Sequence, residues 1–151
     1  MTKWGNAVKG VQLSVSLTNN IVAAGSIITL FAQIKNSSTN PISVYVKDPR
    51  SDFDVYITNK SGKVFKISPD PDTNSPVYAI FAPIFINAGE SHEWIIPEII
   101  GKDVASGDYI LKVTKRVGEN HSFGKNGNYF ELVSNSLDVQ IKLFRDGRES
   151  K

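Results

Sequence analysis

The chain has 151 residues, 40% hydrophobic and 21% charged, with seventeen basic residues against fifteen acidic ones and no cysteine. That length suits one domain burying roughly 70% of its unfolded surface. The missing cysteine excludes disulfides, thiolate metal sites and a cysteine nucleophile, and a formal charge of +2 is too small for the concentrated field of a nucleic-acid binder.

No apolar run approaches the ~20 residues that span a bilayer, so no membrane span is expected. The opening MTKWGNAVKG lacks the apolar segment of a signal peptide. Two compartments fit: the cytoplasm, or an extracytoplasmic site for a mature domain with a replacement Met1, the second being preferred.

In chain order the dominant pattern is period two. In GVQLSVSLT, Val11, Leu13, Val15 and Leu17 alternate with polar residues, which predicts a half-buried strand. Trp4 precedes it and is expected to plug one end of the fold. AAGS is a turn, and SIITLFAQIKN puts Ile28, Leu30, Ala32 and Ile34 on one face. NSSTNP turns the chain into PISVYVKD, with Ile42, Val44 and Val46 on one side. DFDVYIT and KVFKI flank NKSG as a hairpin, with Phe53, Val55 and Ile57 inward and Val64 leading the partner strand.

SPDPDTNSP, residues 68–76, alternates Asp70, Asp72 and Asn74 as a calcium loop does. Counting from Asp70, the sixth and twelfth positions are Ser75 and Phe81, where an EF-hand needs Gly and Glu. The three prolines favour a surface corner, and a weak calcium site shared with another loop is the residual alternative.

VYAIFAPIFI is interrupted by Pro83, which predicts an edge strand or a bulge. HEWII is a short strand with Trp94 and Ile96 on one face, and residues 98–105 carry the one stretch with helical character. DYILKVTKRV places Tyr109, Leu111 and Val113 inside. Its basic run Lys112, Lys115 and Arg116 reads as a solvated strand face, and Arg145, Arg148 and Lys151 as a solubilising tail. GENHSFGKNGN, residues 118–128, is a long flexible loop, and YFELVSNSLDVQIKLF closes the domain with Leu137, Val139 and Ile141 inward. The expected organisation is one domain over 1–144 with a flexible tail over 145–151.

Eight or nine short strands with turns about every ten residues predict an all-β antiparallel sandwich. ASGDYILKV sets a Gly, an acidic residue and Tyr109 at the start of a late strand, where immunoglobulin-like domains turn a tyrosine hydroxyl back to the upstream backbone. The succession QIKNSSTNPISVYV, DFDVYITNKSGKVFKIS, INAGESHEWIIP, ASGDYILKV resembles bacterial immunoglobulin-like domains, including the intracellular proteinase inhibitor (BsuPI-like) family, over about residues 26–115. The resemblance implies an immunoglobulin-like sandwich of about eight strands and makes a proteinase inhibitor the alternative function. No inhibitory residue carries over.

Chemistry is sparse. His92 and His121 are the two histidines, too few for zinc without cysteine. No nucleophile elbow G-x-S-x-G occurs. Asp52, Asp54, Glu90 and Glu93 lie near turns, as surface acids do. No catalytic residue, metal or cofactor is expected, and a small hydrolase is the least favoured reading.

Recognition is therefore expected from loops and an exposed sheet face. In loop 118–128, His121, Phe123, Lys125 and Asn126 form the candidate site, with Phe123 as apolar anchor. Tyr45 and Tyr56 are out of phase with their strands' apolar faces. They either line a binding face or pack across strands. The chain reads as a non-catalytic binding module, and a place in a larger cell-surface or secreted assembly is an extension of that reading. Its expected partner is a protein, with a glycan as the alternative, and its oligomeric state is open.

Overall fold

The computed structural model describes residues 2–46, 52–67, 83–119 and 127–143. Eleven strands run through them: β1 (Val11–Leu17), β2 (Ile21–Ala23), β3 (Ile27–Asn36), β4 (Ile42–Val44), β5 (Asp54–Asn59), β6 (Val64–Ile67), β7 (Ile84–Ile86), β8 (Ser91–Ile99), β9 (Gly107–Glu119), β10 (Tyr129–Val133) and β11 (Leu137–Lys142). They form an all-β sandwich. A three-stranded sheet in the order β1-β3-β8 packs on an eight-stranded sheet built around β9.

β9 is thirteen residues long and serves two sets of neighbours. Its first half lies between β11 and β5, its second between β10 and β4. β7 extends the sheet beyond β4, and β6 beyond β5. β10 and β11 follow the same side of β9 with a break between them. At the break Ser134 Oγ accepts the Val113 N–H at 2.9 Å and the Ser134 N–H donates to Val113 O at 2.8 Å, so β9 loses no bond.

Alternation places the core as expected. Leu13, Leu30, Ile34 and Ile96 of the small sheet meet Val55, Ile57, Leu111, Val113 and Ile141 of the large one, all buried. Phe53 and Trp94 meet between the sheets at 5.5 Å between ring centroids. Tyr109 Oη donates to Ala105 O at 2.6 Å, the tyrosine corner expected from the Gly-Asp-Tyr run. Gly62 has φ +89° in the β5–β6 hairpin, the left-handed position that its Ser-Gly pair promised.

Several expectations are corrected. Eleven strands replace about eight, because YFELVSNSLDVQIKLF breaks in two and because β2, three residues with no alternation to read, was not anticipated. β2 also pairs in parallel with β11, so the sandwich is not wholly antiparallel. Strand β9 continues through Gly118 and Glu119, which were assigned to the loop. Val64 leads the partner strand as expected, paired with Thr58 on the wet side of the hairpin. Trp4 is half-buried beneath Lys35 Nζ, 4.5 Å from its ring centroid, and lies outside the core cluster. The SPDPDTNSP corner, residues 77–82 and the tail lie outside the described residues.

Residues 98–105 contain one hydrogen-bonded turn, Val104 N–H to Gly101 O at 3.1 Å, while β8 runs on to Ile99. Pairing with β3 from Lys35↔Ser91 to Ile27↔Ile99 overrides the local helical tendency. β8 accepts Pro97 for a geometric reason. Its even-numbered residues bond toward β3, as at Ile100 N–H to Ser26 O (3.0 Å) and Asn36 N–H to Glu90 O (2.9 Å). The missing N–H of Pro97 therefore faces the outer edge, where it interrupts any added ladder.

Candidate binding face

Side chains on the wet side of β9 are aligned with those of β5 and β11 by strand register. Ile110 has Asp138 on one flank and Thr58 on the other; Asp108 has Gln140 beside it; Lys112 faces Tyr56. Beyond β11, Ile21 pairs with Gln140. These rows open into a cleft of about 510 Å³ at one end of the sheet, lined also by Asn20, Asn59 and Lys60. Ile110 and Ile21, each 45% exposed, are its apolar surface.

Local structure holds this end in place. The tyrosine corner anchors the start of β9, which carries Asp108 and Ile110. Asn59 Oδ1 accepts from Lys63 N–H at 2.9 Å and Ser61 Oγ–H at 2.8 Å, closing the hairpin that presents Lys60. Lys60 Nζ then sits 3.2 Å from an Asp108 oxygen across the cleft rim. In contrast, the side chains of Asn20, Thr58, Asp138 and Gln140 form no hydrogen bond or ion pair with other described residues.

The sequence candidates separate into two groups. Tyr56 stands on this face, one row from the cleft, between Lys112 and Lys66. Lys66 Nζ binds Asp54 at 3.0 Å, and that bond and charge push its amine above the usual lysine range. Tyr45 follows β4 and is half-buried near Tyr129; burial first, then the Tyr129 hydroxyl, raise its own hydroxyl above the ordinary tyrosine value. Tyr129 in turn lies under the Arg116 guanidinium at 4.3 Å. His121, Phe123, Lys125 and Asn126 lie outside the described residues.

Lys115 corrects the reading of the basic run as a solvated face. It shares the inward parity of Tyr109, Leu111 and Val113 and is 7% exposed. Its Nζ donates to Tyr45 O at 2.7 Å and lies 5.5 Å from the centre of the Phe53 ring. Burial pulls the amine below the usual lysine range, Asp52 and Asp54 partly oppose this, and Arg116 adds to the lowering. A lowered folded-state value means that the unfolded chain binds the proton more tightly. The penalty is complete below the folded value and fades as pH rises towards ~10.4, the value of a free lysine. Wild-type stability is therefore expected to gain on Lys115→Met between pH 7 and pH 10 in urea melts. Parallel pH profiles would contradict this.

Sequence reasoning missed Asn20, Thr58, Ile110, Asp138 and Gln140. One signal was present, an isoleucine at 110 on the otherwise polar side of β9. Among the described residues, no group of three or more His, Asp or Glu side chains could hold a metal ion. No described helix is long and apolar enough to cross a membrane.

No family model matches the chain, and no curated protein matches it. Solved structures share its fold. The C-terminal domain of wzt is similar with a TM-score of 0.57 and 12% identity, over 95% of this chain and 78% of that one. Spo0M, a sporulation control protein from Bacillus subtilis, is similar with a TM-score of 0.50 and 9% identity, over 91% of this chain and 51% of that one. At these identities the likeness establishes an all-β sandwich fold.

Proposed function

We propose that this domain is a non-catalytic binding module of the immunoglobulin-like type and that it binds through the outer face of its eight-stranded sheet. The observation that carries the reading is the cleft over Ile110. There, uncommitted carboxylate, carboxamide and hydroxyl groups surround an apolar surface, the usual make-up of a ligand site. The tyrosine corner supports the immunoglobulin-like assignment. No observation among the described residues favours the proteinase-inhibitor alternative.

Arrays of oligosaccharides and peptides probed with wild type, Ile110→Asp and Ile95→Asp test the proposal. Ile95 is 58% exposed on the other sheet and serves as control. Wild type is expected to bind at least one class of probe, Ile110→Asp to lose that signal, and Ile95→Asp to keep it. A blank array for wild type, or equal loss in both variants, would reject the reading.

A further inference from the structure

We infer that the cleft takes a neutral saccharide, a step that rests on the binding-face reading above. Main-chain recognition is closed here. Ile110 pairs with Asp138 on one side and with Thr58 on the other, so the backbone of the cleft floor is committed to the sheet, and the open edge beside it is the three-residue β2, too short a ladder to hold an extended peptide. Contacts must come from side chains, and those available are short: one carboxylate, two carboxamides and a hydroxyl.

The charge pattern narrows the ligand further. Lys60 is the cation lining the cleft, and it is paired with Asp108. With that pair neutralised, Asp138 leaves the cleft acidic, which disfavours an anion. A single exposed carboxylate is also too little to hold a cation firmly. A neutral ligand rich in hydroxyl donors suits Asp138, while Asn20 and Gln140 each offer both donor and acceptor.

Size and shape agree. Neighbouring strands lie about 4.8 Å apart, so Asp138 and Thr58 flank Ile110 at a separation of roughly 10 Å. A pyranose ring can lie on the Ile110 side chain with its equatorial hydroxyls reaching both flanks. Tyr56, two residues from Thr58 on the same face of β5, stands roughly 7 Å further along, where its ring can take the C–H face of a second unit.

Calorimetric titration of the full chain with neutral hexose and N-acetylhexosamine oligosaccharides tests this, with sulfated oligosaccharides and mixed-charge peptides as comparisons. At least one neutral oligosaccharide is expected to bind. Asp138→Asn and Thr58→Ala should each weaken it about tenfold, and Ile95→Ser should leave it unchanged. Asp138→Asn conserves shape and Thr58→Ala removes two atoms, both at positions outside the core, so folding is checked by an unchanged melting curve. If only peptides bind, and Ile110→Asp abolishes that binding, the saccharide inference fails and the binding face stands. Binding confined to sulfated probes also overturns the neutral class. Saccharide binding that survives every cleft substitution overturns the placement. No binding by any probe overturns both.

Discussion

Replacing Gly5 with alanine is expected to destabilise the fold by about 3 kcal/mol, at the upper end for overpacked sites. A Cβ on Gly5 would stand 1.9 Å from Val133 O and 2.8 Å from the Ser134 carbonyl carbon, so main chain must move rather than a flexible side chain. The surroundings cannot yield freely. Gly5 N–H donates to Leu13 O at 2.9 Å, and Gln12 Nε2 donates to Gly5 O at 3.0 Å. This contact helps cover the free edge of β1, which Asn135 covers further along. The Asn135 carboxamide accepts from Val15 N–H at 2.8 Å and donates to Val15 O at 3.1 Å, standing in for a neighbouring strand. Gly5→Ala should therefore lower the urea midpoint and loosen β1. A loss below about 0.5 kcal/mol, inside the range of ordinary surface changes, would show that the close approach is not structurally required.

Asn36→Ala is expected to cost about 3 kcal/mol as well, through hydrogen bonds rather than space. Asn36 is fully buried at the end of β3. Its Nδ2 donates to Asn40 O at 2.8 Å and to Ile86 O at 2.9 Å; its Oδ1 accepts from Ser38 N–H at 3.0 Å and Ser38 Oγ–H at 2.6 Å. One side chain thus shapes the turn into β4 and ties the small sheet to β7 of the large one. Each bond contributes about 1 kcal/mol, and removing the amide leaves a buried carbonyl at Ile86 without its donor. Asn36→Asp separates the two halves of the role. It keeps the accepting oxygen but sets a carboxylate against two carbonyl oxygens, so it should be at least as damaging as alanine. If Asn36→Asp melts like wild type, the donated bonds contribute little.

The inward half of nearly every long strand was legible because side chains alternate: Leu13, Leu30, Val55 and Leu111 follow from period two alone. Tyr109 was legible because the corner is local, a hydroxyl reaching back four residues. Lys115 was legible by parity and obscured by charge. What makes its burial tolerable is the Tyr45 carbonyl, 70 residues away, which alternation does not reveal. Asn36 looked like a turn residue, and Asn135 sat unremarked inside the closing run, for a similar reason: their bonds to Ile86 and Val15 depend on how the sheets meet. The continuation of β8 through Pro97 to Ile99 was not legible, since the fit of that proline depends on which edge of β8 is open.

The cleft was the least legible feature. Asp138, Ile110 and Thr58 belong to three strands widely separated in the chain, and each looks like an ordinary wet-face residue by itself. Only register across β11, β9 and β5 sets them side by side. The outward phase of Tyr56 on β5 is visible locally, whereas its neighbours across the sheet, Lys112 and Lys66, are not.

The most direct test of the binding face is chemical-shift mapping. The strongest-binding array probe is titrated into the isotope-labelled protein while backbone amides are followed. Shifts are expected to concentrate at Tyr56, Thr58, Ile110 and Asp138, with Ile27, Ile95 and Ile99 unmoved. Perturbations centred on those three isoleucines, on the outer face of the three-stranded sheet, would contradict it.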